Sequence, residues 1–233
     1  MTTRRFYMLP MAFGLLMALV AQIDARTCRI VFPERPDAFP DQIHLFDGSN
    51  SHAIRVPSRN LSPVLELPDG KITISLTENP VAGAAEIPQT APHLVIPEKI
   101  TDLYLLVTPK EGAGNLSVNL LTVDASDAQL KPGETLWLNL TDTNVQANLG
   151  DSRVLIDAKR HITSQKPVDK SGYYEAHFFI LKGEDEEPQA FARQSWWHDV
   201  DSRHFGLIMD NGGKLPMIMI FRDFRAPEAP ESE

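Results

Sequence analysis

The segment WWHDVDSRH, Trp196 to His204, carries the densest set of chemically capable side chains in the chain, with His198, Asp199, Asp201 and His204 inside seven positions. A turn at residues 200–202 would bring the two imidazoles together, and one carboxylate beside them would complete a donor set for a divalent metal. If the segment stays extended, each residue advances about 3.3 Å, the histidines stand roughly 20 Å apart, and no ion is shared. Polar residues at a strand-turn-strand junction more commonly face solvent, so no metal or other cofactor is assigned. Trp196 and Trp197 point to opposite faces of a strand: one fills a core, and the other meets a neighbouring layer or solvent. An exposed tryptophan beside acidic residues is a platform for a sugar ring. Trp196, Trp197, His198, Asp199, Asp201 and His204 are therefore the candidate ligand-binding residues.

No catalytic residue is assigned. Gly150-Asp151-Ser152 and Asp201-Ser202-Arg203-His204 resemble the serine and Asp-x-x-His blocks of GDSL-type hydrolases. In that family the serine follows the first strand of an α/β fold and the histidine lies far downstream. Here the blocks are close together with no helix between them, and a hairpin turn plus a strand start is the simpler reading. A blue-copper centre needs a cysteine among histidines near the C-terminal strands, and Cys28 is at the opposite end. Asn60, Asn115 and Asn139 open Asn-x-Ser/Thr acceptors that matter only on a eukaryotic secretory route.

The elements that must position these residues read as strands. No long stretch repeats apolar residues at helical spacing, whereas short alternating or β-branched runs recur about every 8 to 12 residues between turns. Strands are expected at 29–32, 42–46, 53–56, 64–67, 71–77, 103–108, 116–123, 135–141, 145–149, 153–157, 173–182, 191–198, 204–209 and 217–222. Ile72, Ile74 and Leu76 alternate with Lys71, Thr73 and Ser75, which puts one face on a core. YLLV and MIMIF are apolar on both faces and predict central strands, or strands covered on both sides.

With 42% hydrophobic and 23% charged residues the chain has enough apolar side chain for a packed core. Arg4 and Arg5, an apolar run from Met8 to Ala21, and small residues at Ala21 and Ala25 follow the order of a secretory signal. Residues 1–25 are read as that signal, cleaved at Ala21 or Ala25 or retained as an anchor. The run is shorter than the roughly 20 residues of a spanning helix, so no integral membrane segment is expected. The formal charge is −9, and −10 once Arg4, Arg5 and Asp24 are removed. Such a chain repels polyanions, and without a basic patch nucleic acid is not an expected partner. The single Cys28 can form no internal disulfide, and a free thiol is expected there.

Two hairpins have one design: 102–124 and 203–223 each join two apolar strands through a glycine-containing turn. Ile43 to Ile54 across a DGSN turn resembles Leu136 to Leu149 across TDTN, and the strand at Lys71 resembles the strand at Tyr173. These matches lie about a hundred residues apart in the same order, which predicts a tandem duplication. The expected fold is all-β, a tandem pair of antiparallel immunoglobulin-like β-sandwich units at 26–125 and 126–225, separate or merged into one large sandwich. The proline-rich acidic tail 226–233 has nothing to bury.

The frame GETLWLNLTDTNVQANLGDSRVLID, GYY opening a strand, a tryptophan segment, RHFGLIM and a final FRDFR resembles a family of exported bacterial β proteins of unknown function. The resemblance covers most of the chain after the signal, implies a periplasmic or surface location, and supplies no catalytic residues. The expectation is an exported, non-catalytic β-sandwich protein that binds a protein or polysaccharide of the cell envelope. The alternative is a hydrolase or metal-dependent enzyme using Trp196 to His204.

Overall fold

The computed structural model describes residues 26–35, 39–57, 59–112, 116–183, 187–210, 212–213 and 215–225. The signal read at 1–25, the tail 226–233 and parts of the two hairpin turns, Asn115 and Asn211 among them, lie outside the described residues. Sixteen strands follow in order. The first eight are β1 (Arg26–Val31), β2 (Gln42–Phe46), β3 (Ser51–Arg55), β4 (Leu65–Leu67), β5 (Ile72–Thr77), β6 (His93–Ile96), β7 (Asp102–Pro109) and β8 (Val118–Asp124). The second eight are β9 (Thr135–Asn139), β10 (Asn144–Leu149), β11 (Ser152–Ile156), β12 (His161–Ser164), β13 (Gly172–Leu181), β14 (Gln189–His198), β15 (Arg203–Met209) and β16 (Met217–Asp223).

They form four sheets, β4-β1-β7-β8 with β3-β2-β5-β6, and β12-β9-β15-β16 with β11-β10-β13-β14. Each sheet of the second half has the order of a sheet in the first with every strand number raised by eight. The chain is therefore all-β and built as a tandem pair of two-sheet units. The antiparallel expectation holds for every strand pair except β1–β7 and β9–β15, which are parallel. Strands run alternately up and down, and the two members of each exception are both odd-numbered, so they share a direction.

Three apolar layers hold the stack. Ile30, Ile43, Leu45, Ile74, Leu76 and Leu105 fill the first unit. Trp137, Val145, Ala147, Phe178 and Ile208 fill the second. Between them the inner sheets share a core that includes Val31, Tyr104, Leu106, Leu136, Phe205 and Leu207. The sheets thus stand outer, inner, inner, outer. Tyr104 and Phe205 stack across the shared core with ring centroids 4.9 Å apart. The connection after β8 joins the same core, where Ala125 and Leu130 are buried.

The sequence comparison was one strand out of step at its start. Ile43 lies in β2, whereas Leu136 lies in β9, the counterpart of β1. DGSN closes the β2–β3 hairpin, but TDTN crosses from the inner sheet to the outer one. Similar turn residues serve both geometries, so they could not set the alignment. Strands β6 and β12 lie outside the expected set: one sits between prolines and the other is a short polar edge strand. β7 is central as expected, while β16 is an edge strand covered on both sides, with Met217 and Met219 on the shared core and Ile218 and Ile220 on the second unit's core. Cys28 is wholly buried in the first core, and burial pushes its thiol far above its ordinary pKa.

Candidate functional site

The β13–β14 hairpin positions the tryptophans. β14 is ten residues long and forms the edge of its sheet, pairing among the described residues with β13 alone. Alternation divides its side chains between core and solvent. Trp196 packs inward, its ring stacked 6.1 Å from Trp137 and tilted 5.5 Å from Phe178, with its indole N–H donating to Gln194 Oε1 at 2.5 Å. Trp197 faces out and is 51% exposed. Opposite it across the ladder stands Tyr173, 73% exposed, with the two rings edge-to-face at 5.1 Å. Such a T-shaped pair holds both rings rigid while leaving apolar surface open.

Polar groups continue this face. Along β13, Glu175 stands opposite Ser195, and His177 stands opposite Arg193 on one side and Asn148 on the other. Glu175 Oε2 lies 3.7 Å from the exposed Arg193 Nε and 3.6 Å from His177 Nε2, a nitrogen closed to solvent that makes no hydrogen bond among the described residues. Gln146 Nε2 donates to Asn148 Oδ1 at 3.0 Å, and Arg153 donates to Gln146 Oε1. An aromatic pair beside fixed amides, a carboxylate and a guanidinium can stack one sugar ring and hydrogen-bond the hydroxyls of the next. Sequence reasoning found Trp197 but not Tyr173, Glu175, His177 or Asn148. The alternation in GYYEAHFF already places Tyr173, Glu175 and His177 on one side; the neighbouring strands needed the fold.

The remaining candidates serve the turn. Residues 199–202 do turn, and the imidazoles of His198 and His204 come within 5.7 Å, centroid to centroid. Both are almost wholly buried, and among the described residues His198 Nε2 and His204 Nδ1 have no hydrogen-bond partner. Burial holds His198 below its ordinary pKa, helped by the Lys166 ammonium. Burial, with His198 adding to it, lowers His204 to about 4. The carboxylates turn elsewhere: Asp199 accepts from Ser202 Oγ and the Asp201 N–H and pairs with Arg222, while Asp201 is exposed. Among the described residues no group of three or more His, Cys, Asp or Glu is placed to hold a metal ion.

Next to this turn, a buried ionic cluster ties the halves together. Arg203 donates to Asp102 Oδ2 at 2.6 Å and to Asp223 Oδ2 at 2.7 Å. Arg225 reaches both carboxylates, Arg29 pairs with Asp223, and Tyr104 O–H donates to Asp223 at 2.7 Å. Burial opposes the charge on Asp223, but Arg203 and Arg225 outweigh it and hold the carboxyl well below its usual range. Asp223, Arg203 and Tyr104 are buried and mutually satisfied, as structural clamps are, with Arg29, Asp102 and Arg225 at the partly exposed rim. The hydrolase-like blocks are not assembled into one: Ser152 opens β11 at an edge of the outer sheet, and His204 is buried in the inner sheet. Asn139 is fully buried, its amide donating to the carbonyls of Thr143 and Ile156, and is closed to glycosylation in this fold.

No protein-family model matches the chain, and no curated protein matches it.

Proposed function

We propose that this is an exported, non-catalytic protein of the cell envelope that binds a polysaccharide on the outward face of β11-β10-β13-β14. The observation that carries this reading is the exposed Tyr173–Trp197 pair with hydrogen-bonding side chains in the adjoining rows. Flat aromatic rings on a rigid sheet accept the apolar face of a sugar with little ordering cost, and planar amides and charged groups beside them match its hydroxyls. On this reading each half is an immunoglobulin-like module, and the charged, apolar and small residues at the N-terminus direct export. An enzyme reading has less support, because His198 and His204 are buried and Asp199 is bonded within its own turn.

The test is affinity electrophoresis through gels containing soluble envelope polymers: neutral glucans, galactans and peptidoglycan fragments. At least one polymer should retard the protein, and Trp197→Ala should weaken retention at least about tenfold, the scale of an aromatic contact at the centre of a binding site. Retardation by none of them, or retention unchanged in both Trp197→Ala and Tyr173→Ala, would sink the proposal.

A further inference from the structure

The first half carries an open groove of about 1040 Å³ that the sheet-face site does not use. It exists because residues 78–92 connect β5 to β6, where the second half needs only residues 182–188 between β13 and β14. The long connection is pre-shaped rather than slack. Thr77 Oγ1 donates to the Asn79 carbonyl at 2.7 Å, Glu86 Oε2 accepts the Ala82 N–H at 2.9 Å, and the Ala91 N–H reaches the Pro88 carbonyl at 2.9 Å. Pro80, Pro88 and Pro92 restrict it further.

Three features of the groove select one kind of occupant. Its far wall is Val118 to Leu120 of β8, the edge strand of the inner sheet, which among the described residues pairs with β7 alone. Such an edge accepts a further strand beyond Val118, whose own N–H is already held by the Leu116 carbonyl. Val81, Leu116 and Leu120, each half-buried, supply apolar lining for the inward side chains of such a strand, over the buried Leu76 and Val118. The charged lining is Glu78, Glu86 and Glu111 against Lys110, and among the described residues none of the three glutamates forms an ion pair. An acidic chain of net charge −9 adds a long-range field of the same sign.

We infer that this groove docks an extended, lysine- or arginine-bearing peptide segment of another protein, which adds a strand to the edge of β8 and sets its cationic side chains against Glu78 and Glu111. Backbone pairing supplies the affinity, and the glutamates choose the sequence. An anionic segment is repelled, and a helix cannot use the edge.

Fluorescence anisotropy with the exported chain and labelled ten-residue peptides tests this. The probes are a peptide alternating lysine with valine, the same peptide with glutamate for lysine, and the lysine peptide with proline at alternate valines. The first should bind, the other two should not, and the double variant Glu78→Gln, Glu111→Gln should bind the first about tenfold more weakly, the expected cost of removing rim charges from a steered complex. Both glutamates are exposed, so the variant keeps the fold. Absence of binding by the lysine peptide, equal binding of the glutamate or proline peptide, or an unchanged affinity in the double variant would each overturn the inference. The polysaccharide reading stands or falls separately, on the polymer gels.

Discussion

The outer sheets β3-β2-β5-β6 and β11-β10-β13-β14 share one strand order, but their outward faces differ. Along the ladder between the last two strands of each, Thr73 faces Val95 in the first half and Tyr173 faces Trp197 in the second. The difference reaches inward. On the side of each inner sheet that meets its own core, the first half pairs Ile30 with Leu105, and the second pairs Trp137 with Gly206. A Cβ on Gly206 would lie 2.2 Å from Trp137 Cε3, so the absent side chain is what admits the indole. Trp137 then stacks on Trp196, and the alternation of β14 turns Trp197 to solvent. The first half instead lengthened a connection and opened a groove. A repeated framework let each half specialise at a different place, a face in one and a loop in the other.

The comparison is broken most severely by removing what both halves share. Asp223→Ala leaves Arg203, Arg29 and Arg225 without their common carboxylate, and a broken buried ion pair costs about 3–5 kcal/mol. Urea denaturation should show that loss, with the halves uncoupling into two transitions if each unit retains its own core. A change below about 1 kcal/mol would remove the cluster from any clamping role.

Acid tests the second half most directly, because His198 and His204 are buried there ring against ring, whereas among the described residues of the first half the buried histidine is His44. His204 titrates near 4 in the fold and near 6.5 when unfolded, so the unfolded state binds the extra proton between those values. Its neutral form stabilises fully above pH 6.5, and that stability drains away as the pH falls toward 4, to a ceiling of about 3 kcal/mol. Asp223, depressed by its arginines, contributes a separate loss only below the ordinary aspartate value. Denaturation midpoints from pH 7.5 to 4.5 should decline; a flat profile contradicts the burial of His204.

The smallest effect sharpens the comparison instead. Gly206→Ala should cost about 1–3 kcal/mol, the range for overpacking a filled core, as Trp137 is pushed off its place. Calorimetry would show it as a lowered Tm, and polymer retention should weaken with it because Trp196 and β14 rest on that indole. Stability unchanged within about 0.5 kcal/mol would mean that the indole has room to move aside.

Local pattern was enough for most strands. Ile72, Ile74 and Leu76 alternate because one face is buried, and the period of two survives any tertiary context. The failures have a common cause. β6 and β12 are short strands whose pairing, with β5 and β9, supplies what their own residues do not. The out-of-step alignment came from turns whose residues are the same whether the chain folds back or crosses to another sheet. At the candidate site, the opposite facing of Trp196 and Trp197 was legible, but the choice of which one meets solvent was not.

The amino-acid sequence by itself determined that the chain is all-β and that Trp196 and Trp197 part to opposite faces, because each follows from side-chain period over a few residues. Only the tertiary structure decided that the inner sheets merge through a shared core, that Tyr173 stands across from Trp197, and that His198 and His204 are buried together. Those depend on which strands lie side by side, and that is set by summed burial over residues a hundred positions apart rather than by any local stretch.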